Sequence, residues 1–317
     1  MDWLNILPAF LMAVLPAMFR LATPMIFASL GGVISERSGV VNIGLEGIMI
    51  MGAFAGVITA LFTGNPWLGI LAGMISGGLV ALIHAYISID LHGDQVISGT
   101  AINVLAAAFT GFMLRKMFHH AGQSPQVAAL PTWDLPFLQK IPVVGSWLYE
   151  LFRQGPMVYL AIIMVVVIWF LLYKTRLGLR IRAAGEHPEA VETVGINLFG
   201  IRYFSVVMSG VLAGLGGVAI SLGSISSFVE NMSAGKGFIA LAAMIFGKWN
   251  PIGAFLACLF FALTDAVQMQ AQIFGITFIP KEFLMMFPYI ATMLALLGFI
   301  GRSTAPAADG VAYERRK

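Results

Sequence analysis

Long apolar runs, each near the length of a bilayer crossing, alternate along the chain with short polar breaks. A crossing takes about 20 mostly apolar residues, and the pattern places such segments at roughly 8–34, 41–62, 67–89, 96–118, 157–173, 201–222, 252–271 and 283–300. A further apolar stretch, 238–246, is too short to cross alone and reads as a half-length or broken helix lined by protein. The expectation is an all-α polytopic membrane bundle of about nine membrane segments, including broken or short helices, in one transmembrane domain over residues 1–300. Pro16 and Pro24 mark the first segment for kinking.

The breaks carry the organisation. Residues 32–47 form a polar, glycine-bearing interruption, with helix expected to resume near Val41 so that Asn42 and Glu46 share a face. Residues 119–155, with several prolines, read as an extracytoplasmic loop with one or two interfacial helices. Residues 174–202 form a charged cytoplasmic loop, and 301–317 a cytoplasmic tail expected to be disordered. Basic residues set the orientation: with the N-terminus outside and the C-terminus inside, cytoplasmic positions hold eleven Lys and Arg against six outside.

Composition agrees. With 59% hydrophobic and 10% charged residues, the chain differs from soluble domains, where about 25% of residues are charged. The formal charge of +3 is ordinary for a membrane protein with basic loops and gives no footprint for nucleic acid. The single cysteine, Cys258, lies within an apolar run, so neither a disulfide nor a cysteine-based metal site is expected. The N-terminus lacks the basic region of a cleavable signal peptide.

Enzymatic signatures are absent from the sequence, including a complete phosphate-binding loop and any HExxH pattern, so unaided ATP hydrolysis and a resident cofactor are not expected. Polar groups inside spans are more informative, because each charged one costs about 2.5–3.5 kcal/mol on insertion scales unless it faces protein or water. Arg20, Glu46 and Asp265 are the clearest. Asp265, Gln268 and Gln272 share one helix face, and Asn103 sits in another span. Asn42, Glu46, Asn103, Asp265 and Gln268 are therefore candidates for a polar translocation pathway, with plain interhelical hydrogen bonding as the competing reading. Arg20 is a possible ion-pair partner of Glu46 or Asp265. Gly52/Gly56, Gly73/Gly77 and Gly210/Gly214 lie at the four-residue spacing that lets helices pack closely in lipid.

Within the cytoplasmic loop, a short helix over 188–194 is marked by its ends. Pro188 suits the first helical position and Gly195 the left-handed position just past the last turn. Glu189 and Glu192 lie where the helix dipole favours acids. On these residues alone, it is either a simple loop helix or a docking element for a soluble partner.

Three stretches, SERSGVVNIGLEGIMIMGAF at 35–54, GLRIRAAGEHPEAVETVGIN at 178–197 and GFIALAAMIFGKWNPIGAF at 237–255, resemble the permease subunits of bacterial ABC importers in the ribose and branched-chain amino acid branch. The similarity is greatest to the nucleoside or simple-sugar permeases. The resemblance implies that Glu189-Ala190-Val191, three residues and Gly195 form the loop motif seated on an ABC ATPase, with Glu186, His187, Pro188 and Glu192 beside it. Val191 stands where that motif has a second Ala, and the later Ile-x-Leu-Pro ending is absent. It also implies ATP bound by the partner alone, a second permease subunit that is a paralogue or a copy of this chain, an extracytoplasmic substrate-binding lipoprotein, and a place in the bacterial inner membrane. The solute would be a nucleoside, or else a simple sugar or another small polar metabolite. An ion-coupled carrier using Asp265 or Glu46 and an intramembrane enzyme are the readings from other classes; for the latter, His84 has no evident catalytic partner in the sequence.

Overall fold

The computed structural model describes residues 3–119, 122–134, 145–275 and 304–313, with isolated positions between 136 and 139 and between 280 and 293. The helices are α1 (Trp3–Arg37), α2 (Leu45–Thr63), α3 (Pro66–Ala85), α4 (Gln95–Phe118), α5 (Gly145–Phe152), α6 (Pro156–Lys174), α7 (Arg176–Glu186), α8 (Pro188–Thr193), α9 (Leu198–Ile220), α10 (Lys236–Phe246) and α11 (Pro251–Ile273). Single π-turns extend α3 to Asp90 and α9 to Ile225. Among the described residues, seven helices are long and apolar enough to cross a membrane, and α10 is a shorter apolar helix. The segment expected at 283–300 lies largely outside the described residues.

The bundle is centred on α9, which packs against α1, α2 and α3. The three expected glycine pairs meet there. A methyl group on Gly52 would lie 2.6 Å from Gly214 Cα, and one on Gly77 or Gly214 would collide with the backbone of Gly210 or Gly73 across the joint. With lipid outside, close backbone approach supplies the packing that hydrophobic transfer supplies in water.

The first interruption is shorter than the sequence pattern suggests. α1 continues through Gly32 to Arg37, and α2 starts only at Leu45. Asn42 consequently belongs to a non-helical stretch over 38–44 and does not share a helix face with Glu46. Continuing α1 is favoured by its packing on α9: a methyl on Gly31 would already sit 2.6 Å from Ser209 O.

At the opposite end from this stretch, the segment after α4 is joined to the segment after α9. Ser124 N donates to Phe228 O at 2.8 Å and Val127 N to Ser226 O at 2.9 Å, around an antiparallel bridge between Gln123 and Val229. Arg115 and Glu230 add an ion pair at 3.9 Å.

Candidate coupling surface and intramembrane polar site

Residues 40–44 thread into the bundle without helical hydrogen bonding, and the first N–H groups of α2 are free as well, so these backbone groups need other partners. Side chains from α3, α4 and the stretch itself provide them. Gln95 Oε1 accepts from Val41 N at 2.7 Å, and His84 Nε2 meets Val41 O at 2.9 Å. Asn103 bridges the turn, accepting from Gly47 N at 2.7 Å and donating to Ile43 O at 3.0 Å. Asn42 accepts from Gly44 N at 3.1 Å and donates to Ser209 Oγ at 3.1 Å. A carbonyl at Nε2 requires that nitrogen to carry the proton, so His84 Nδ1 accepts from Ser98 Oγ at 2.9 Å.

Glu46, buried at the start of α2, closes the other side of this break. Its Oε1 accepts from Ser233 Oγ at 2.6 Å and Gly235 N at 2.8 Å, and its Oε2 from Gly237 N at 2.6 Å. The carboxylate thereby caps the first turn of α10, where free N–H groups and the helix dipole favour an anion. The expected pairing with Arg20 does not form: Arg20 Nε donates instead to Pro16 O one turn earlier, at 3.3 Å. Among the described residues, Arg20 makes no ion pair with Asp265 either.

Asp265 and Gln268 occupy half-buried positions on α11, with Gln272 exposed beyond them. Lys236, the first residue of α10, is near enough to attract the Asp265 charge. The five candidate pathway residues thus fall into two groups: Asn42, Glu46 and Asn103 are bonded into the broken-helix joint, while Asp265 and Gln268 are on α11, with Asp265 near Lys236, which lies between the two residues, Gly235 and Gly237, whose backbone N–H groups Glu46 binds.

At the basic end, α6 turns sharply into α7. Thr175 Oγ1 donates to Leu171 O at 2.6 Å and accepts from Gly178 N at 3.1 Å, ending one helix and capping the next. Arg182 Nε donates to Leu172 O at 3.1 Å, and its guanidinium lies 5.0 Å from the centre of the Tyr173 ring. α7 buries Ile181, Ala184 and Gly185 and leaves Leu179 60% exposed. After His187, α8 runs over six residues, with Val191 buried and Val194 70% exposed. Gly195 has φ of +76°, the left-handed geometry its position calls for. Leu179, Ala183, Val191, Val194 and Ile196 form an apolar groove of about 480 Å³, flanked by Arg176 and Arg180.

The chain's far end returns to this surface. Residues 304–313, expected to be disordered, lie against α7, α8 and α9. Ala308 N donates to Gly185 O at 2.8 Å, Ala307 N to Glu186 Oε2 at 3.3 Å, and Tyr313 OH to Glu192 Oε2 at 2.7 Å. His187, Pro188, Glu189 and Ala190 face Val311, Ala312 and Tyr313 across a cleft of about 650 Å³. All seven residues of the expected docking motif are therefore grouped on or next to α8.

Comparison with known proteins shows the family of the chain. The family model described as "Branched-chain amino acid transport system / permease component" matches residues 14–297. The chain belongs to that family. The permease is 44% identical over 303 residues to the nucleoside ABC transporter permease protein NupC of Lactococcus lactis, covering 93% of this chain and 95% of the relative. It is 44% identical over 311 residues to the guanosine ABC transporter permease protein NupQ of Bacillus subtilis, covering 96% and 97%. With the putative glucose ABC transporter permease protein TsgC13 of Haloferax volcanii it shares 36% identity over 277 residues, 86% and 82% of the two chains. It is a multi-pass membrane permease and not the ATPase of such a system.

Two parts of the permease's site escape the sequence reading. α7 was legible in principle, since Thr175 is a good N-cap and Leu177, Ile181 and Ala184 recur at helical spacing. Gln95, His84 and Ser209 as supports for the broken stretch carry no local signal, because each lies far from it in sequence.

Proposed function

We propose that this permease forms the pathway for ATP-driven nucleoside uptake and that α8, with the groove beside it, is its contact with an ABC ATPase. The observation that carries this reading is the pairing of a short, exposed helix at the basic end with a neighbouring apolar groove, in a chain otherwise built of membrane-length helices. Exposed apolar surface outside a span, rimmed by charge, suits a protein partner. The orientation has this face in the bacterial cytoplasm, the N-terminus outside, and Glu186, His187, Pro188, Glu189, Ala190, Glu192 and Gly195 toward the ATPase. A second permease subunit and an external binding lipoprotein complete the assembly.

Nucleosides are favoured as cargo by the names of the two relatives at 44% identity. A simple sugar is the second reading, favoured by the relative at 36%. Asp265 and Gln268 are the residues proposed to face the solute, since both are half-buried on α11 and take no part in the hydrogen bonds of the joint that occupies Asn42, Glu46 and Asn103. The test is uptake of labelled guanosine and glucose into vesicles holding the complete assembly of permease, second permease, ATPase and binding lipoprotein, loaded with ATP and freed of ion gradients. Guanosine accumulation is the expected result. Uptake that requires a proton or sodium gradient and ignores ATP would overturn the reading.

A further inference from the structure

A six-residue helix cannot hold itself in shape, because nucleating so short a helix is unfavourable in isolation. α8 buries Val191 alone among its residues. A push delivered to α8 would therefore be lost locally unless other contacts hold it. The segment 304–313 makes those contacts. Tyr313 bonds Glu192 near the end of α8 and sets its ring 6.5 Å from that of Phe199 on α9. Ala308 bonds Gly185 at the α7–α8 joint. Arg202 of α9 donates from Nη1 to Val311 O at 3.4 Å, and Tyr313 O meets His92 Nε2 at 3.1 Å in the connection before α4.

The same segment also reaches the end of α1, against which the α7–α8 joint itself packs at Gly185. Asp309 lies beside Glu36, near the end of α1, with Arg202 close enough to attract it. Glu36 Oε2 accepts from Trp249 Nε1 at 2.5 Å, and Arg37 Nε donates to Trp249 O at 2.9 Å. Trp249 lies in the turn joining α10 to α11. A contiguous line of bonds thus runs from α8 through 304–313 and the end of α1 to the two helices that carry Lys236 and Asp265.

We propose that residues 304–313 are a strap that positions the coupling helix, with Tyr313 on Glu192 and Asp309 beside Glu36 as its two fastenings, so that α8 moves together with α1 and the α10–α11 turn. Tyr313 and Asp309 are positioning residues that need not touch the ATPase. The inference rests on α8 being the ATPase contact.

The experiment uses the complete transporter in vesicles, comparing wild type with Tyr313→Phe, Glu192→Ala, the double variant, and a chain ended after Ser303. Three quantities are read: ATPase retained on the permease, ATP hydrolysis, and uptake per ATP hydrolysed. Tyr313→Phe keeps the ring on Phe199 and removes the hydroxyl. It is expected to retain the ATPase and hydrolysis while uptake per ATP falls about fivefold, the lower end of allosteric coupling strengths. The double variant should lose no more than the larger single loss, since both remove one contact. The shortened chain should lose coupling further. Additive losses in the double variant, or wild-type coupling in Tyr313→Phe and in the shortened chain, would overturn the strap. Failure of the wild-type permease to retain any ATPase would instead overturn the reading of α8 on which the strap rests.

Discussion

Glu46 Oε2 lies 2.6 Å from the backbone nitrogen of Gly237, joining the second residue of α2 to the second residue of α10. The bond, with those from Ser233 and Gly235 to Oε1, replaces the water that would otherwise solvate an anion and a helix start inside the bundle. Glu46→Ala is expected to lower stability by about 3 kcal/mol or more, since three donors lose a charged acceptor. Glu46→Gln should fall between the two, keeping one acceptor oxygen while its amide faces a donor. Thermal unfolding of the detergent-purified permease checks both.

Asn103 bonds both sides of the turn, Ile43 O and Gly47 N. Asn103→Leu has nearly the same volume but leaves a buried carbonyl and a buried N–H unserved. A loss of about 1–3 kcal/mol per group is expected, with Asn103→Asp less damaging because it keeps the acceptor. The same unfolding assay measures it.

Gly77 and Gly210 touch backbone to backbone. Gly77→Val introduces two methyl groups where one already collides, and overpacking of this kind costs about 1–3 kcal/mol or more. The expected outcome is a sharp drop in folded membrane yield by size-exclusion profile. Gly64→Ala, at a position with open space around it, is the control, penalised only for its left-handed backbone.

Burial pushes the Asp309 carboxyl up to about 6, with the Glu36 hydrogen bond, the Gly310 backbone and the Arg202 charge opposing that rise. An acid whose folded pKa exceeds its unfolded value of 3.8 favours the docked state while protonated. The groups facing it are Glu36 from α1 and Arg202 from α9. Docking of residues 304–313 should therefore be strongest below about pH 4 and weaken as pH rises through about 6. Amide exchange at Ala307 and Ala308, corrected for intrinsic rates, is the measurement. Asp309→Asn should flatten the profile.

The membrane helices, the half-length α10 and the left-handed Gly195 were legible because each depends on local composition or on one residue's backbone preference. Pro188 and Gly195 bracketed α8 to within a residue of its observed end. What the sequence could not disclose depends on contacts between distant segments. Glu46 reads as a costly charge in a span until Ser233, Gly235 and Gly237 are beside it, nearly 190 residues away. Residues 304–313 read as a loose tail because Pro306 and Gly310 interrupt any helix the alanines would favour and no apolar periodicity survives; their order comes from Gly185, Glu192 and Arg202. The start of α2 was misplaced because Val40, Val41 and Ile43 are apolar enough to pass for helix, whereas Gln95, His84 and Asn103 make an extended path affordable.

The glycine joint between α2, α3 and α9 also bears on how the permease can change shape. Ordinary helix contacts slide by letting side chains hop between rotamers, which gives an interface several resting positions. Bare backbone pressed on bare backbone has no rotamers to exchange, so this joint has one position and any slippage breaks it outright. Any change of shape in the permease is then expected to carry these three helices together as one frame, with the displacement falling on helices outside it.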